Sequence, residues 1–479
     1  MSFISFSFAV FFFIVALLHR IAARLGERAV LAQKIIWLAA SLAFYAFSDF
    51  RFIPFLAYAI IISYFAGIFC KNKIALAAFI LADLAPLLAV KYVPQATNVK
   101  WFFPLGISFF TFQSVSYIAD VYKKKIQAER NPLDVALFVS FFPVISSGPI
   151  QRAGNLIPQF NVVHKFDYDD ATNGLRLFAW GLFKKLCIAD RIALYVNYVY
   201  GNVADQYGLA LLFATILYSF QIYCDFSAYS DMAIGVARYL GFDAGKNFDR
   251  PYLSQSIGEF WRRWHISLST WLRDYVYITL GGSRVALPRI YLNLMATFLV
   301  SGIWHGSTWN FVIWGALHGI FSCAERATKD VREKMRIPAW INILVTFCLV
   351  TFAWIFFRAR NFSEAVVVIK KIAAAPTEIV PFINMTNSDG LKEALHKMLS
   401  LIGDAGGVKR MAATLAILAA FLAVQIATRE KAGLELFKKQ KIFIRWFFYL
   451  AFVLWLLEII LSSFLQGASF STNFIYQNF

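Results

Sequence analysis

His305 lies inside a long apolar stretch, Val300-Ser-Gly-Ile-Trp-His305-Gly-Ser-Thr-Trp-Asn310. An ionisable side chain at membrane depth costs free energy unless it is paired or lines a wet cavity, which makes such a residue a candidate functional site. A neutral imidazole, with an ordinary pKa near about 6.5, accepts a proton at physiological pH and can serve as general base towards a hydroxyl. The alternative is a structural histidine bridging two helices. Ser301, Gly302 and Gly306 are small enough for a neighbouring helix, or a substrate, to come close to this backbone.

His265, in Glu259-Phe-Trp-Arg-Arg-Trp-His265-Ile-Ser-Leu-Ser-Thr-Trp-Leu-Arg-Asp-Tyr275, is the second candidate. Taken alone, a histidine in an amphipathic, charge-rich helix is more often a hydrogen-bonding core residue. His318 is a weaker candidate, and His19, His164 and His396, in loops or at segment ends, are expected to do no chemistry. Asp225 and Asp231 are carboxylates inside another apolar run, Gln221-Ile-Tyr-Cys-Asp225-Phe-Ser-Ala-Tyr-Ser-Asp231. They can pair with Lys or Arg of a neighbouring helix, orient a histidine, or relay protons. A spacing of six does not put both on one helical face, and there is no His-Glu-x-x-His, so no metal site is expected. The glycine-rich patterns that hold nucleotide phosphates or dinucleotides and the Gly-x-Ser-x-Gly of serine hydrolases are also absent, which weighs against those chemistries.

The elements that must position these residues are helices in lipid. The chain has 479 residues, 59% of them hydrophobic, with 51 Phe, and a mean hydropathy of +0.60, well above a soluble protein. Apolar stretches at about 3–18, 30–47, 53–70, 74–90, 102–121, 133–150, 172–198, 209–237, 291–322, 338–357, 410–427 and 443–466 predict about ten to twelve passes, some re-entrant or broken. The first run precedes its basic residues His19, Arg20, Arg24 and Arg28, so it reads as a retained helix rather than a cleaved leader. Basic clusters at Arg20–Arg28, Lys71–Lys73 and Lys123–Lys125 alternate with poorer connections, which puts the amino terminus outside.

The net charge of +18 is scattered over the loops, so anionic membrane lipids rather than nucleic acid are the expected partner. Cys70, Cys187, Cys224, Cys323 and Cys348 form no Cys-x-x-Cys pair and read as buried small hydrophobes. With no internal repeat, residues 1–479 read as one membrane domain. The polar stretch from Gly241 to Pro288 is too aromatic for a free loop. Glu259 stands three and four residues from Arg262 and Arg263, and Trp261, Trp264, Leu268 and Trp271 add apolar surface, so an amphipathic helix is expected, within the bundle or at its interface.

Ordered motifs run nearly end to end: Pro104-Leu-Gly-Ile-Ser-Phe-Phe-Thr-Phe-Gln113, Phe141-Phe-Pro143 with Gly148-Pro-Ile-Gln-Arg152, and Gly181-Leu-Phe-Lys-Lys185 with Ala189-Asp190. They continue through Asp225-Phe-Ser-Ala-Tyr-Ser-Asp231, Glu259-Phe-Trp-Arg-Arg-Trp-His265, Trp304-His305-Gly306, Trp354-Ile-Phe-Phe-Arg358 and Phe474-Ile-Tyr476. With these motifs the chain resembles the membrane-bound O-acyltransferases, in particular the bacterial branch that acetylates alginate and peptidoglycan or D-alanylates teichoic acid.

The resemblance implies an all-α polytopic bundle of membrane helices around a central tunnel, in a bacterial cytoplasmic membrane. It implies that His305 matches the catalytic histidine and His265 a second position on the same tunnel. The donor would be acetyl-coenzyme A or another acyl thioester, with no bound cofactor, and the acceptor a hydroxyl of a cell-envelope glycan, served directly or through an extracytoplasmic acetyltransferase partner. Trp304, Trp309, Asn310 and His265 are the candidates for holding an oxyanion. Tyr223, Asp225 and Asp231 are expected along the tunnel, and Lys184, Lys185, Arg262 and Arg263 either steer an anionic donor or meet lipid headgroups. D-alanyl transfer from a carrier protein, and transport of an acyl carrier or glycan precursor, are the alternatives.

Overall fold

A computed structural model of the chain describes residues 1–97, 103–384, 408–428, 437 and 439–466, and they fold into helices with no β-strand among them. The amino-terminal part is α1 (Phe6–Ala22), α2 (Ala29–Ala46), α3 (Ile53–Phe69) and α4 (Lys73–Thr97). Side-chain caps start the turns: Ser5 accepts from the Phe8 amide at the head of α1, and Asp49 from Arg51 just before α3, each taking a donor that the first turn leaves without a partner. Pro86 inside α4 cannot bond the Ala82 carbonyl, and the Tyr58 hydroxyl donates to that oxygen at 3.0 Å instead.

Next come α5 (Ile107–Tyr122), α6 (Pro132–Ser140), α7 (Ala153–Phe160) and α8 (Tyr168–Phe183), followed by a π-helical turn at Lys184–Ala189, α9 (Asp190–Gly201) and α10 (Gly208–Tyr239). α5 is buried on every side from Ile107 to Asp120. Gly106, at φ 69°, lets its chain enter beside the Ile145 carbonyl, where a Cβ would collide. The carboxyl-terminal part contains α11 (Ile257–Arg263), α12 (Ile266–Leu272), α13 (Leu287–His305), α14 (Trp309–Ala327), α15 (Lys329–Met335), α16 (Ala339–Arg358), α17 (Phe362–Asn384), α18 (Val408–Ala427) and α19 (Ile442–Gln466).

Five helices among the described residues are long and apolar enough to cross a membrane: Gly26–Ala46, Phe50–Phe69, Lys73–Pro94, Gly208–Tyr239 and Ala339–Arg358. Phe6–Ala22, Met411–Ala427 and Ile442–Trp455 are shorter apolar helices. The protein is a multi-pass membrane protein, but several apolar stretches fold differently from a simple span. The stretch 133–150 is helical only to Ser140 and then turns, because Pro143 and Pro149 cannot continue a helical hydrogen-bond ladder. The stretch 291–322 is not one helix: it breaks at Gly306–Thr308 into α13 and α14. The polar stretch around His265 is likewise two short helices, with the expected apolar residues Trp261, Trp264, Leu268 and Trp271 buried. Cys70, Cys187 and Cys224 are buried as expected, whereas Cys323 is half-buried and Cys348 exposed.

Small residues set the tightest helix seams. A Cβ on Gly174 of α8 would stand 2.5 Å from the Gly235 carbonyl of α10, one on Gly235 would stand 2.5 Å from the Gly174 carbonyl, and one on Gly181 would lie 2.6 Å from Ala228 O. These contacts bring two backbones together as in other membrane helix pairs. Gly235→Val should push α8 and α10 apart and destabilise the protein by about 1–3 kcal/mol, the usual scale of overpacking. Thermal unfolding in detergent will check this, and an unchanged midpoint would contradict the described seam.

Candidate active site

His305 is the last residue of α13, 2% exposed. Its place follows from the helix break: after Trp304-His305, Gly306 takes an extended conformation and α14 returns antiparallel. A side chain on Gly302 would strike the Phe311 carbonyl, and one on Gly315 the Phe298 carbonyl, so glycine on both helices permits the hairpin to close. The end of α13 is capped from α4. Tyr92 Oη donates to Ile303 O at 2.7 Å, and Lys91 Nζ donates to Trp304 O, which satisfies carbonyls that a helix end leaves without intrahelical partners. The other side of the hairpin is tied to α16, where Asn310 Nδ2 donates to Ala359 O at 2.8 Å.

Around His305 the rings of Trp304, Trp314 and Phe357 lie 4.6, 4.9 and 5.3 Å away, centroid to centroid. Trp314 continues the wall to His318 at 4.9 Å and to Trp354 at 5.9 Å. Lys91, His265 and His318 are the titratable groups that bear on His305 electrostatically. Several buried polar atoms of this region have no hydrogen-bond partner among the described residues: Ser301 Oγ, Trp304 Nε1, Asn310 Oδ1, Trp314 Nε1 and His318 Nε2. Helical spacing gathers them, with Ser301 and Trp304 three apart on α13, and Asn310, Trp314 and His318 four apart on α14. Buried polar atoms are satisfied almost everywhere in proteins, so such a concentration marks a place for polar ligand atoms or water.

His265 is 1% exposed and occupies the corner between α11 and α12 in left-handed backbone, φ 41°. Such a conformation is uncommon for a residue with a side chain and is held only where the surroundings enforce it. The enforcement comes from Asn247. Its backbone carbonyl accepts the Ile266 amide at 2.8 Å, and its Oδ1 accepts from Ser267 Oγ at 2.9 Å and lies 3.1 Å from His265 Nδ1. That oxygen accepts from the ring when Nδ1 carries the proton, which leaves Nε2 as the acceptor of a neutral imidazole. The ring packs 4.7 Å from Phe226 and 6.2 Å from Phe109 of α5.

The other expected site residues divide. Trp304 and Asn310 are buried in the His305 wall, but Trp309 is 75% exposed. As the first residue of α14 it points out of the bundle, and Trp314, one turn beyond Asn310, stands against His305 in its place. Arg262 is exposed, and Arg263 is half-buried in an ion pair with Glu259 at 2.7 Å. Both lie on the outer face of α11 while Trp261 and Phe260 face inward. Tyr223 is buried against Tyr252, Phe248, Trp264 and Phe421, and its hydroxyl lies 2.9 Å from Gln425 Nε2.

Asp225 and Asp231 are ion-paired. Lys185 Nζ lies 2.7 Å from both Asp225 and Asp190, and Lys184 Nζ lies 2.7 Å from Asp231 and from Ser227 Oγ. Lys184 and Lys185 are thus buried partners of carboxylates rather than surface cations. Sequence reasoning missed Lys91 and Tyr92, because they close an apolar segment and read as the start of a loop. It also missed Trp314, whose four-residue step from Asn310 was the available signal. His19 and His164 are packed with Gln33 and Trp37, while His396 lies outside the described residues.

Lys185→Met would leave two carboxylates around a vanished cation and should destabilise the protein by about 3–5 kcal/mol, the scale for breaking a buried pair. Lys184→Met should have the smaller effect, since Asp231 is partly exposed. Detergent melting curves of the two variants check the order, and equal midpoints would refute it.

A family model, "MBOAT, membrane-bound O-acyltransferase family", matches residues 105–363. A probable alginate O-acetylase of Pseudomonas aeruginosa is 43% identical over 290 residues, 60% of this chain and 55% of that protein. A peptidoglycan O-acetyltransferase of Helicobacter pylori is 36% identical over 383 residues, 70% of this chain and 73% of that protein. A teichoic acid D-alanyltransferase of Bacillus subtilis is 30% identical over 319 residues, 60% of this chain and 78% of that protein. The match spans about half the length of the alginate O-acetylases.

Proposed function

Because the chain belongs to the membrane-bound O-acyltransferase family, we propose that it transfers an acyl group, acetyl first, from a cytoplasmic thioester to a hydroxyl of a cell-envelope glycan. The observation that carries this reading is the group of buried polar atoms beside His305, Ser301 Oγ, Trp304 Nε1, Asn310 Oδ1, Trp314 Nε1 and His318 Nε2, which have no hydrogen-bond partner among the described residues. Two of them, on Trp304 and Trp314, are N–H donors suited to an oxyanion, and His305 beside them is the base for an acceptor hydroxyl.

In the proposed reaction His305 takes the proton of the acceptor hydroxyl as its oxygen attacks the thioester carbonyl carbon. The indole N–H groups of Trp304 and Trp314 hold the oxyanion of the tetrahedral intermediate. That intermediate collapses as the C–S bond breaks, and the imidazolium returns the proton to the departing sulfur. The products are an ester and a free thiol. Lys91 and Tyr92, by capping the end of α13, hold the imidazole in register with these donors. His265, its ring held by Asn247, contributes a second polar position.

Acetyl is favoured over D-alanyl because the acetylating relatives share 43% and 36% identity with this chain, against 30% for the alanylating one. The proposed setting is a bacterial cytoplasmic membrane, with donor and acceptor reaching one tunnel from opposite faces. Final delivery to the glycan is either direct or through an extracytoplasmic partner. No resident cofactor takes part in the scheme.

The test is thiol release from acetyl-coenzyme A by the protein in nanodiscs, with a glycan acceptor present. His305→Ala should lower kcat at least about 100-fold, the lower range for loss of a general base, while the variant stays monodisperse. Wild-type rates in that variant would sink the mechanism.

A further inference from the structure

The motif Gly148-Pro-Ile-Gln-Arg152 has no part in the chemistry around His305, yet its arginine is built into a second charged centre. The Arg152 guanidinium stands 4.7 Å over the ring of Tyr275, and Lys123 Nζ and Lys125 Nζ each lie 5.7 Å from the same ring. Arg273, in the π-helical turn Arg273–Tyr277 that follows α12 and holds Tyr275, is a further cation bearing on Arg152. Against these four cations stand two carboxylates. Asp120 accepts the Tyr275 hydroxyl at 2.7 Å and lies 3.3 Å from Lys125, while Asp274 is 3.7 Å from Arg152 and 2.8 Å from Arg273. Cations therefore outnumber anions in the cluster.

Arg152 is also incompletely used. Its two terminal nitrogens are buried and have no hydrogen-bond partner among the described residues, since Asp274 is beyond hydrogen-bond distance. A guanidinium in this state presents the planar pair of donors that suits a phosphate, with lysines as added point charges. Lys125 and Arg273 are more than half exposed, so an anion from solution can reach the centre.

The position of this centre gives it a role. Tyr275 lies 5.2 Å from Trp271, Trp271 stacks on Phe112 at 4.1 Å, Phe112 lies 5.2 Å from Trp304, and Trp304 lies 4.6 Å from His305. An unbroken aromatic line thus leads from the cations to the histidine. The Lys123–Lys125 connection is one of those that the positive-inside rule assigns to the cytoplasm.

We propose that Arg152, with Lys123, Lys125 and Arg273, binds the phosphate of the acyl-thioester donor, whose apolar-tolerant arm then follows Tyr275, Trp271 and Phe112 to Trp304 and His305. The assignment rests on the acyl-transfer reading above. It covers a nucleotide-borne phosphate, as in coenzyme A, and a phosphodiester-linked arm on a carrier protein, which share this chemistry.

The experiment measures equilibrium binding of coenzyme A to full-length protein carrying His305→Ala, in phosphatidylcholine nanodiscs, with and without Arg152→Gln. Phosphate-free pantetheine is the control ligand. Arg152→Gln should weaken coenzyme A binding tenfold or more and leave pantetheine binding within twofold. Lys123→Ala/Lys125→Ala should weaken coenzyme A binding in the same direction and more steeply at low salt, which guards against misfolding of one variant. A phosphopantetheine-loaded carrier protein tested in parallel identifies the source: the ligand whose affinity depends on Arg152 is the donor. Equal loss for coenzyme A and pantetheine, or no loss for either phosphate-bearing ligand, would overturn the proposal. So would an effect of Arg152→Gln confined to retention of phosphatidylglycerol in mixed nanodiscs, which would assign the cluster to lipid headgroups. Because binding is read in a protein without its base, failure of acyl transfer itself shows separately, as absent thiol release by the wild type.

Discussion

A charge placed inside an apolar bundle must bring its counter-charge with it, and the seam between α8 and α10 is arranged around that requirement. Asp225 and Asp231, six residues apart, point about 120° from each other around α10, so one basic residue could not serve both. Two adjacent lysines can, because neighbouring residues on a helix also diverge widely in direction. The π-helical turn at Lys184–Ala189 faces both toward α10, and Asp190 adds a second carboxylate to Lys185. Glycines at 174, 181 and 235 let the two backbones come close enough for these contacts. The packing seam and the ion pairs are one construction, since widening the seam would lengthen the pairs.

Around His305 the protein follows the opposite rule. Nothing among the described residues satisfies Trp304 Nε1, Trp314 Nε1, Asn310 Oδ1 or His318 Nε2, although the same protein finds partners for Gln33, Lys34, Ser63 and Thr215 deep in its helices. The difference lies in the elements. Unpartnered side-chain atoms also occur singly along continuous helices, at Tyr45, Gln221 and Ser230, but beside His305 several of them gather where one helix ends and the next begins. A break in a membrane helix is tolerated where it is enclosed by protein and lines a polar space, and a break is also what turns the ends of two helices towards one point.

Much of this could be read in the amino-acid sequence, because the cost of an ionisable group in lipid is a property of residue type and neighbourhood. His305, Asp225 and Asp231 stood out on that basis, and the helical spacing of Glu259 and Arg263 returns as an ion pair. Direction around a helix was harder to read. Trp309 and Trp314 are both tryptophans near His305 in sequence, but Trp309 begins α14 and faces out, while Trp314, a turn and a half later, faces in. Where a helix ends was harder still. Apolar content runs without pause through Gly306-Ser-Thr308 and through Phe141-Phe-Pro143, so hydropathy joins segments that backbone geometry separates. Lys91 is missed, and Arg152 is noted only as the end of a motif, for a related reason: a basic residue at the edge of an apolar run usually means the run has reached water.

Lys91 shows why that inference fails here. Its ammonium is buried and spends a donor on the Trp304 carbonyl, while the adjacent Tyr92 takes the carbonyl before it. A helix end carries partial negative charge on its free carbonyls, so a cation at this spot stabilises the terminus and, by the same contact, fixes its height relative to α4. Asn310 makes the corresponding tie from the start of α14 to the carbonyl after α16. His305 is therefore located by contacts to two helices outside its own hairpin. A side chain at a free helix end would fray with the last turn; held in this way, its ring is kept against Trp304 and Trp314, and the polar atoms of that wall remain together on one side of it.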